Sequence, residues 1–273
     1  MIGRRSACPT TLRPAAIWIK KRFPRGSVAQ SVEQRPFKAL VPGSSPGRPI
    51  ALIVYRDRTV ISHKHKCIFV EVPKTGSTSV RAILGKAWKP HLNLWQIKNQ
   101  METYWTQYGG RKNRILAGLY LFLPEGRRRE RGRKQFETYF KFGFVRNPWD
   151  RVVSLYQRTE ALQLRNEMTF EQFVDWIEYS SATCIHSSPH RYQLDWFVDP
   201  NGNVLADFIG KFERLDEDWT FVAQKLGLDE KLPHRRANPR DRHYTEYYNS
   251  RTRDVIANKF KVDIDRFGYE FSK

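Results

Sequence analysis

Residues 73–79, PKTGSTS, bring an ammonium, a glycine and four hydroxyl side chains into seven positions. Gly76 lets a ligand approach the backbone closely, Ser77, Thr78 and Ser79 add hydroxyl donors, and Lys74 adds a mobile positive charge. That combination suits an anion rich in oxygen. The nucleotide-triphosphate loop G-x-x-x-x-G-K-[ST] does not describe it, because the stretch has one glycine and Lys74 stands two positions ahead of it.

A second stretch, residues 146–156, reads RNPWDRVVSLY and carries Ser154 eight positions after Arg146. A guanidinium can grip a phosphate with two parallel hydrogen bonds. Eight helical residues advance about 12 Å and return close to the same face, so a path that is part loop and part helix lets Arg146 and Ser154 reach one phosphate.

Both stretches need elements that aim them. Residues 68–72 form a short β-rich run, and within 79–85 the residues Val80, Ile83 and Leu84 share a helical face, which predicts a strand, a loop and a helix. Residues 140–145 read as a second strand. Asn147 as cap, Pro148 at the first helical position and Asp150 in the first turn then predict a strong helix start. Residues 88–108 are amphipathic and helical, 127–134 (RRRERGRK) read as a solvated loop, and a further helix begins at 170–176. Residues 204–209 read as a strand, and 219–226 as a helix stopped by Gly227. This alternation predicts an α/β fold with an open, mostly parallel sheet. In such a sheet ligands gather at the carboxyl ends of strands, where helix amino termini direct N–H groups outward.

At these residues the chain resembles a known family. PKTGSTS is similar to the 5′-phosphosulfate loop, and RNPWDRVVSLY to the 3′-phosphate motif, of sulfotransferases that use 3′-phosphoadenosine 5′-phosphosulfate (PAPS), within their carbohydrate sulfotransferase branch. The motifs stand in this order about 70 residues apart, and the similarity continues through residues 195–228 and 232–271. The resemblance implies a P-loop-NTPase-like single domain with helices flanking the sheet. It implies that Lys74, Thr75, Gly76, Ser77, Thr78 and Ser79 hold the 5′-phosphosulfate, and Arg146 and Ser154 the 3′-phosphate. Lys74 would also be catalytic, stabilising charge that grows on the leaving oxygen during in-line transfer. No metal is required, and the acceptor is a hydroxyl on a carbohydrate or glycoconjugate.

The acceptor hydroxyl also needs a general base. Relatives often carry a histidine about twenty residues before the second motif's strand, but residues 114–126, RILAGLYLFLPEG, have none. The base is assigned to His91, with Glu102 and Glu125 as alternates. His186 and His190 read as polar-loop residues, and His234 as structural or near the nucleotide.

Composition sets the outer bounds. The 273 residues suffice for a sizeable core, and Cys8, Cys67 and Cys184 lack metal-ligand spacing and cannot all pair, which favours a reducing compartment. No uncharged apolar stretch approaches the roughly 18 to 20 residues that span a bilayer. A cytoplasmic placement of bacterial type is expected, with peripheral membrane association as the alternative. The formal charge of +20 suits a doubly phosphorylated cofactor, an acidic acceptor or nucleic acid. Residues 1–50 contribute ten Lys/Arg against one acid, Glu33, hence +9 of the total, leaving +11 for the rest. Seven prolines and the lack of periodicity predict a disordered basic extension there, followed by a sulfotransferase domain over 51–273. Residues 27–49 resemble translated transfer-RNA gene sequence, so the extension reads as foreign to the native protein. Two other readings stay open: a catalytically impaired homologue that binds PAPS or its desulfated product PAP, and a basic nucleic-acid-binding protein.

Overall fold

Among the described residues, four strands form one sheet: β1 (Val60–Ser62), β2 (Cys67–Val70), β3 (Phe140–Val145) and β4 (Phe208–Lys211), adjacent in that order. The computed structural model describes residues 60–85, 92–108, 123–157, 168–179, 192–233 and 242–272. β2, β3 and β4 are parallel, with Cys67 opposite Phe140 and Phe142 opposite Phe208, and β1 turns back antiparallel onto β2. The carboxyl ends of the three parallel strands therefore share one edge of the sheet.

Every residue of β2 is fully buried. Ile68 and Val70 enter one hydrophobic cluster while Cys67 and Phe69 enter the other. This explains why the strand reads as a continuous apolar run instead of an alternating one: a parallel sheet covered on both faces needs apolar side chains on both. Against the Cys67–Phe69 face pack α1 (Ser77–Leu84), through Val80 and Leu84, and a long helix over Leu215–Leu226, through Trp219 and Val222. The opposite face is the larger core. It receives helices over Leu94–Tyr108, Pro148–Tyr156, Phe170–Tyr179, Ser250–Lys259 and Lys261–Phe267. In chain order these helices are α2 (Leu94–Tyr108), α3 (Glu125–Thr138), α4 (Pro148–Tyr156), α5 (Phe170–Tyr179), α6 (Leu215–Leu226), α7 (Ser250–Lys259) and α8 (Lys261–Phe267). Helices on both faces of a mostly parallel sheet make the α/β architecture that the alternation of segments predicts. Burial pushes the Cys67 thiol up to about 12, so it behaves as a small core hydrophobe at neutral pH.

Two expectations need correction. The charge run 127–134 is not a loop: it lies in α3, where Arg129 pairs with Glu125 and Arg133 with Glu130 and Glu137 one turn away, while Gly132 and Phe136 are buried. Arginine is a good helix former, and the two small or apolar positions supply the inward face. The strand expected at 204–209 begins at Phe208, because Asp199 collects the Asn201 and Asn203 N–H groups into a turn that leaves Val204 in an isolated bridge to Val198. The antiparallel β1 was not anticipated. The predicted extension 1–50 lies outside the described residues. Among the described residues, no helix is long and apolar enough to cross a membrane.

Candidate active site

After β2 the chain folds into a tight loop. The Val72 N–H donates to the Val70 carbonyl at 3.2 Å, and the fully buried Thr75 hydroxyl donates to the Val72 carbonyl at 2.8 Å. Thr75 thus uses its hydroxyl to stitch the loop. Lys74 (φ 72°) and Gly76 (φ 80°) both adopt the left-handed region on either side of it. For Gly76 that conformation is free of Cβ strain, whereas for Lys74 it costs about 1–2 kcal/mol. A Cβ on Gly76 would also stand 2.8 Å from Leu215 Cδ2 and 3.3 Å from the Phe212 ring, so the β4–α6 connection closes directly over this glycine. Gly76 is the residue before α1, and no side chain caps that helix start. Ser77 and Thr78 are half-buried there and Ser79 is buried. The positive end of α1 and the Lys74 ammonium are suited to the same anion.

The second turn leaves β3 at Val145. Asn147 caps α4 by accepting from the Trp149 N–H at 3.1 Å, and its own amide donates to the Glu270 carbonyl at 2.9 Å. The Gln193 side chain, fully buried, bonds Arg146 twice: its Oε1 accepts from the Arg146 N–H at 2.9 Å and its Nε2 donates to the Arg146 carbonyl at 2.8 Å. The Arg146 guanidinium donates from Nε to Asp150 at 2.7 Å and from Nη1 to the Lys74 carbonyl at 3.1 Å, and it lies 4.1 Å from the centre of the Phe212 ring. Arg151 donates to the Pro73 carbonyl at 3.1 Å. The loop that carries Lys74 and the turn that carries Arg146 are thus hydrogen-bonded to each other at the carboxyl edge of the sheet.

Two carboxylates brace the arrangement, of which Asp263 is fully buried. Glu213 accepts the Asn147 N–H at 2.6 Å and the Tyr269 hydroxyl at 3.3 Å. Burial raises its pKa, opposed by the Asn147 hydrogen bond and the nearby Arg146 charge. Asp263 accepts the Gln193 and Leu194 N–H groups at 2.9 and 3.0 Å, yet its desolvation outweighs those bonds and pushes it up to about 6.

The structure brings the Lys74–Ser79 loop and Arg146 together. Ser154 lies two turns into α4 and is half-buried. His91, His186, His190 and His234 lie outside the described residues. Glu125 is an exposed residue at the start of α3, paired with Arg129 at 3.3 Å, and Glu102 is half-buried on α2. Sequence reasoning missed Gln193, Phe212, Glu213 and Asp263, because each acts across 47 or more positions from the residue it supports and no local pattern marks it. Asp150 had a local signal, lying four positions from Arg146 on a capped helix. Among the described residues, no group of three or more His, Cys, Asp or Glu side chains could hold a metal ion.

A mostly parallel α/β sheet with a lysine-bearing loop and an arginine-bearing turn at its carboxyl edge is an arrangement suited to a multiply charged anion. The chain belongs to the sulfotransferase family, whose sequence profile matches residues 57–270. It is 23% identical over 235 residues to carbohydrate sulfotransferase 9 of Homo sapiens, covering 77% of this chain and 48% of that protein. It is likewise 23% identical over 247 residues to carbohydrate sulfotransferase 14 of Danio rerio, covering 77% of this chain and 61% of the relative. An uncharacterized protein of Archaeoglobus fulgidus is 36% identical over 103 residues, covering 37% of this chain and 78% of that protein. The chain thus spans about half to three fifths of the length of these two carbohydrate sulfotransferases. No solved structure matches it.

Proposed function

We propose that this chain transfers a sulfuryl group from PAPS to a hydroxyl of a carbohydrate or glycoconjugate. The observation that carries the proposal is the 3.1 Å hydrogen bond from Arg146 to the Lys74 carbonyl, which ties two phosphate-suited turns into one site. The fit is supported by the loop itself: Gly76 leaves no room for a side chain, and the start of α1 is uncapped by any side chain. In this reading Ser77, Thr78 and Ser79 and the α1 N–H groups hold the 5′-phosphosulfate, with Thr75 shaping their loop. Arg146 and Ser154 hold the 3′-phosphate.

PAPS supplies an activated sulfuryl group. The acceptor oxygen forms its bond to sulfur as the bond from sulfur to the phosphate oxygen breaks, and Lys74 stabilises the charge left on that phosphate oxygen. The acceptor proton passes to a base, for which His91 is the proposed residue. No metal enters this scheme. The kinship to carbohydrate sulfotransferases supports a glycan acceptor, and the proposed compartment is the cytoplasm.

Calorimetric titration with PAP tests the donor site. Wild-type chain is expected to bind PAP with one-to-one stoichiometry, and Arg146→Ala to weaken it at least thirtyfold, the loss expected for a charge-assisted phosphate contact of about 2 kcal/mol or more. Equal binding by the two proteins would remove Arg146 from the site.

A further inference from the structure

Arg151 has no part in the chemistry above, yet it is 3% exposed and its Nε donates to the Pro73 carbonyl at 3.1 Å. Arg146 Nη1 donates to the next carbonyl in the chain, that of Lys74, also at 3.1 Å. These two carbonyls belong to the peptide planes on either side of the Lys74 Cα. Peptide units are planar, so φ and ψ of Lys74 are the rotations of those two planes about that Cα. Hydrogen bonds that pin both planes therefore pin the direction of the Lys74 Cβ as well.

Lys74 is a residue that needs such pinning. Its φ of 72° lies in the left-handed region, which a residue with a long side chain enters at a cost and keeps when its surroundings over-determine it. We infer that Arg151 is a positioning residue: with Arg146 it clamps the backbone of Lys74 in the left-handed conformation and so sets the approach of its ammonium to the reacting group. The catalytic consequence rests on the proposed sulfotransferase reading, while the clamp itself does not.

The clamp has its own support. Arg151 sits in the first turns of α4, whose start is fixed by the Asn147 cap, and Asp263 lies close enough to feel the Arg151 charge. Asp263 in turn holds the Gln193 N–H, and Gln193 holds both backbone polar groups of Arg146. The two arginines thus share one buried frame. A guanidinium suits the task because its planar fork directs a donor at a fixed carbonyl while keeping its charge; a lysine keeps the charge but not the directed Nε–H.

The test uses Arg151→Lys and Arg151→Met in the full chain. Without any ligand, amide hydrogen exchange over residues 70–79 is expected to accelerate at least tenfold in both, with β3 and α6 keeping their protection. With PAPS and a cell extract of glycans, kcat is expected to fall at least thirtyfold while the PAP dissociation constant changes less than threefold. In a Lys74→Ala background, Arg151→Met should lower the remaining rate less than threefold further. Unchanged loop exchange in a folded variant overturns the clamp. So does an undiminished loss in the Lys74→Ala background, or failure of both variants to fold, which would make Arg151 a plain structural residue. Accelerated loop exchange in the variants of a wild type that neither binds PAP nor transfers sulfuryl groups would uphold the clamp and overturn the sulfotransferase reading instead.

Discussion

Gly76 combines a left-handed φ with a neighbour, Leu215, placed where a Cβ would need to go. Gly76→Ala is therefore expected to destabilise the chain by about 1–3 kcal/mol through backbone strain and overpacking, measured by urea unfolding, and to weaken PAP binding through the displaced loop. A variant as stable as wild type would show that the β4–α6 connection yields easily. Asp263 offers a separate residue-scale test. Its pKa is raised by burial to about 6, so the folded state holds the proton more tightly than the unfolded chain does. Its contribution to stability is present below about pH 4 and is lost as pH rises through about 6. Asp263→Asn removes that titration while keeping one acceptor oxygen, so the variant should gain on wild type as pH rises from about 4 to about 6. A constant difference across that window would show that Asp263 titrates normally.

At the scale of elements, α4 depends on Asn147, which caps the helix and also reaches the Glu270 carbonyl near the end of the chain. Asn147→Ala is expected to cost about 1–3 kcal/mol, the sum of a lost cap and a lost buried hydrogen bond; urea unfolding would reveal it. The α2–α3 pair gives an opposite test of helix propensity. A Cβ on Gly132 would lie 2.5 Å from the Met101 carbonyl oxygen and 2.8 Å from the Glu102 Cα. Alanine is the better helix former by about 1 kcal/mol, yet Gly132→Ala should lower the melting temperature because two backbones must separate. The sequence made α4 readable almost to the residue, since Asn147, Pro148 and Asp150 act locally. It also marked β3 and the Lys74 loop. The helical nature of 127–134 was hidden because its charges say solvent while its two inward positions, Gly132 and Phe136, are too sparse to declare a face. The carboxylates behind the site were hidden for another reason: Glu213 and Asp263 support Asn147 and Gln193 from 66 and 70 positions away.

For the whole molecule, the family match begins at residue 57, and a chain starting at Ala51 is the natural comparison with the full sequence. We predict that removing residues 1–50, and with them +9 of the formal +20, leaves the PAP dissociation constant within about threefold. Loss of PAP binding would show that the basic segment belongs to the site. A nucleic-acid-binding role would show itself as salt-sensitive binding that disappears with the same segment. The donor chemistry is tested most directly by incubating the full chain with sulfur-labelled PAPS and a glycan extract, then following both label and PAP. Label on carbohydrate with matching release of PAP, both cut at least a hundredfold by Lys74→Ala, is the expected result; PAP binding without transfer to any glycan would contradict a sulfotransferase and leave a nucleotide-binding homologue.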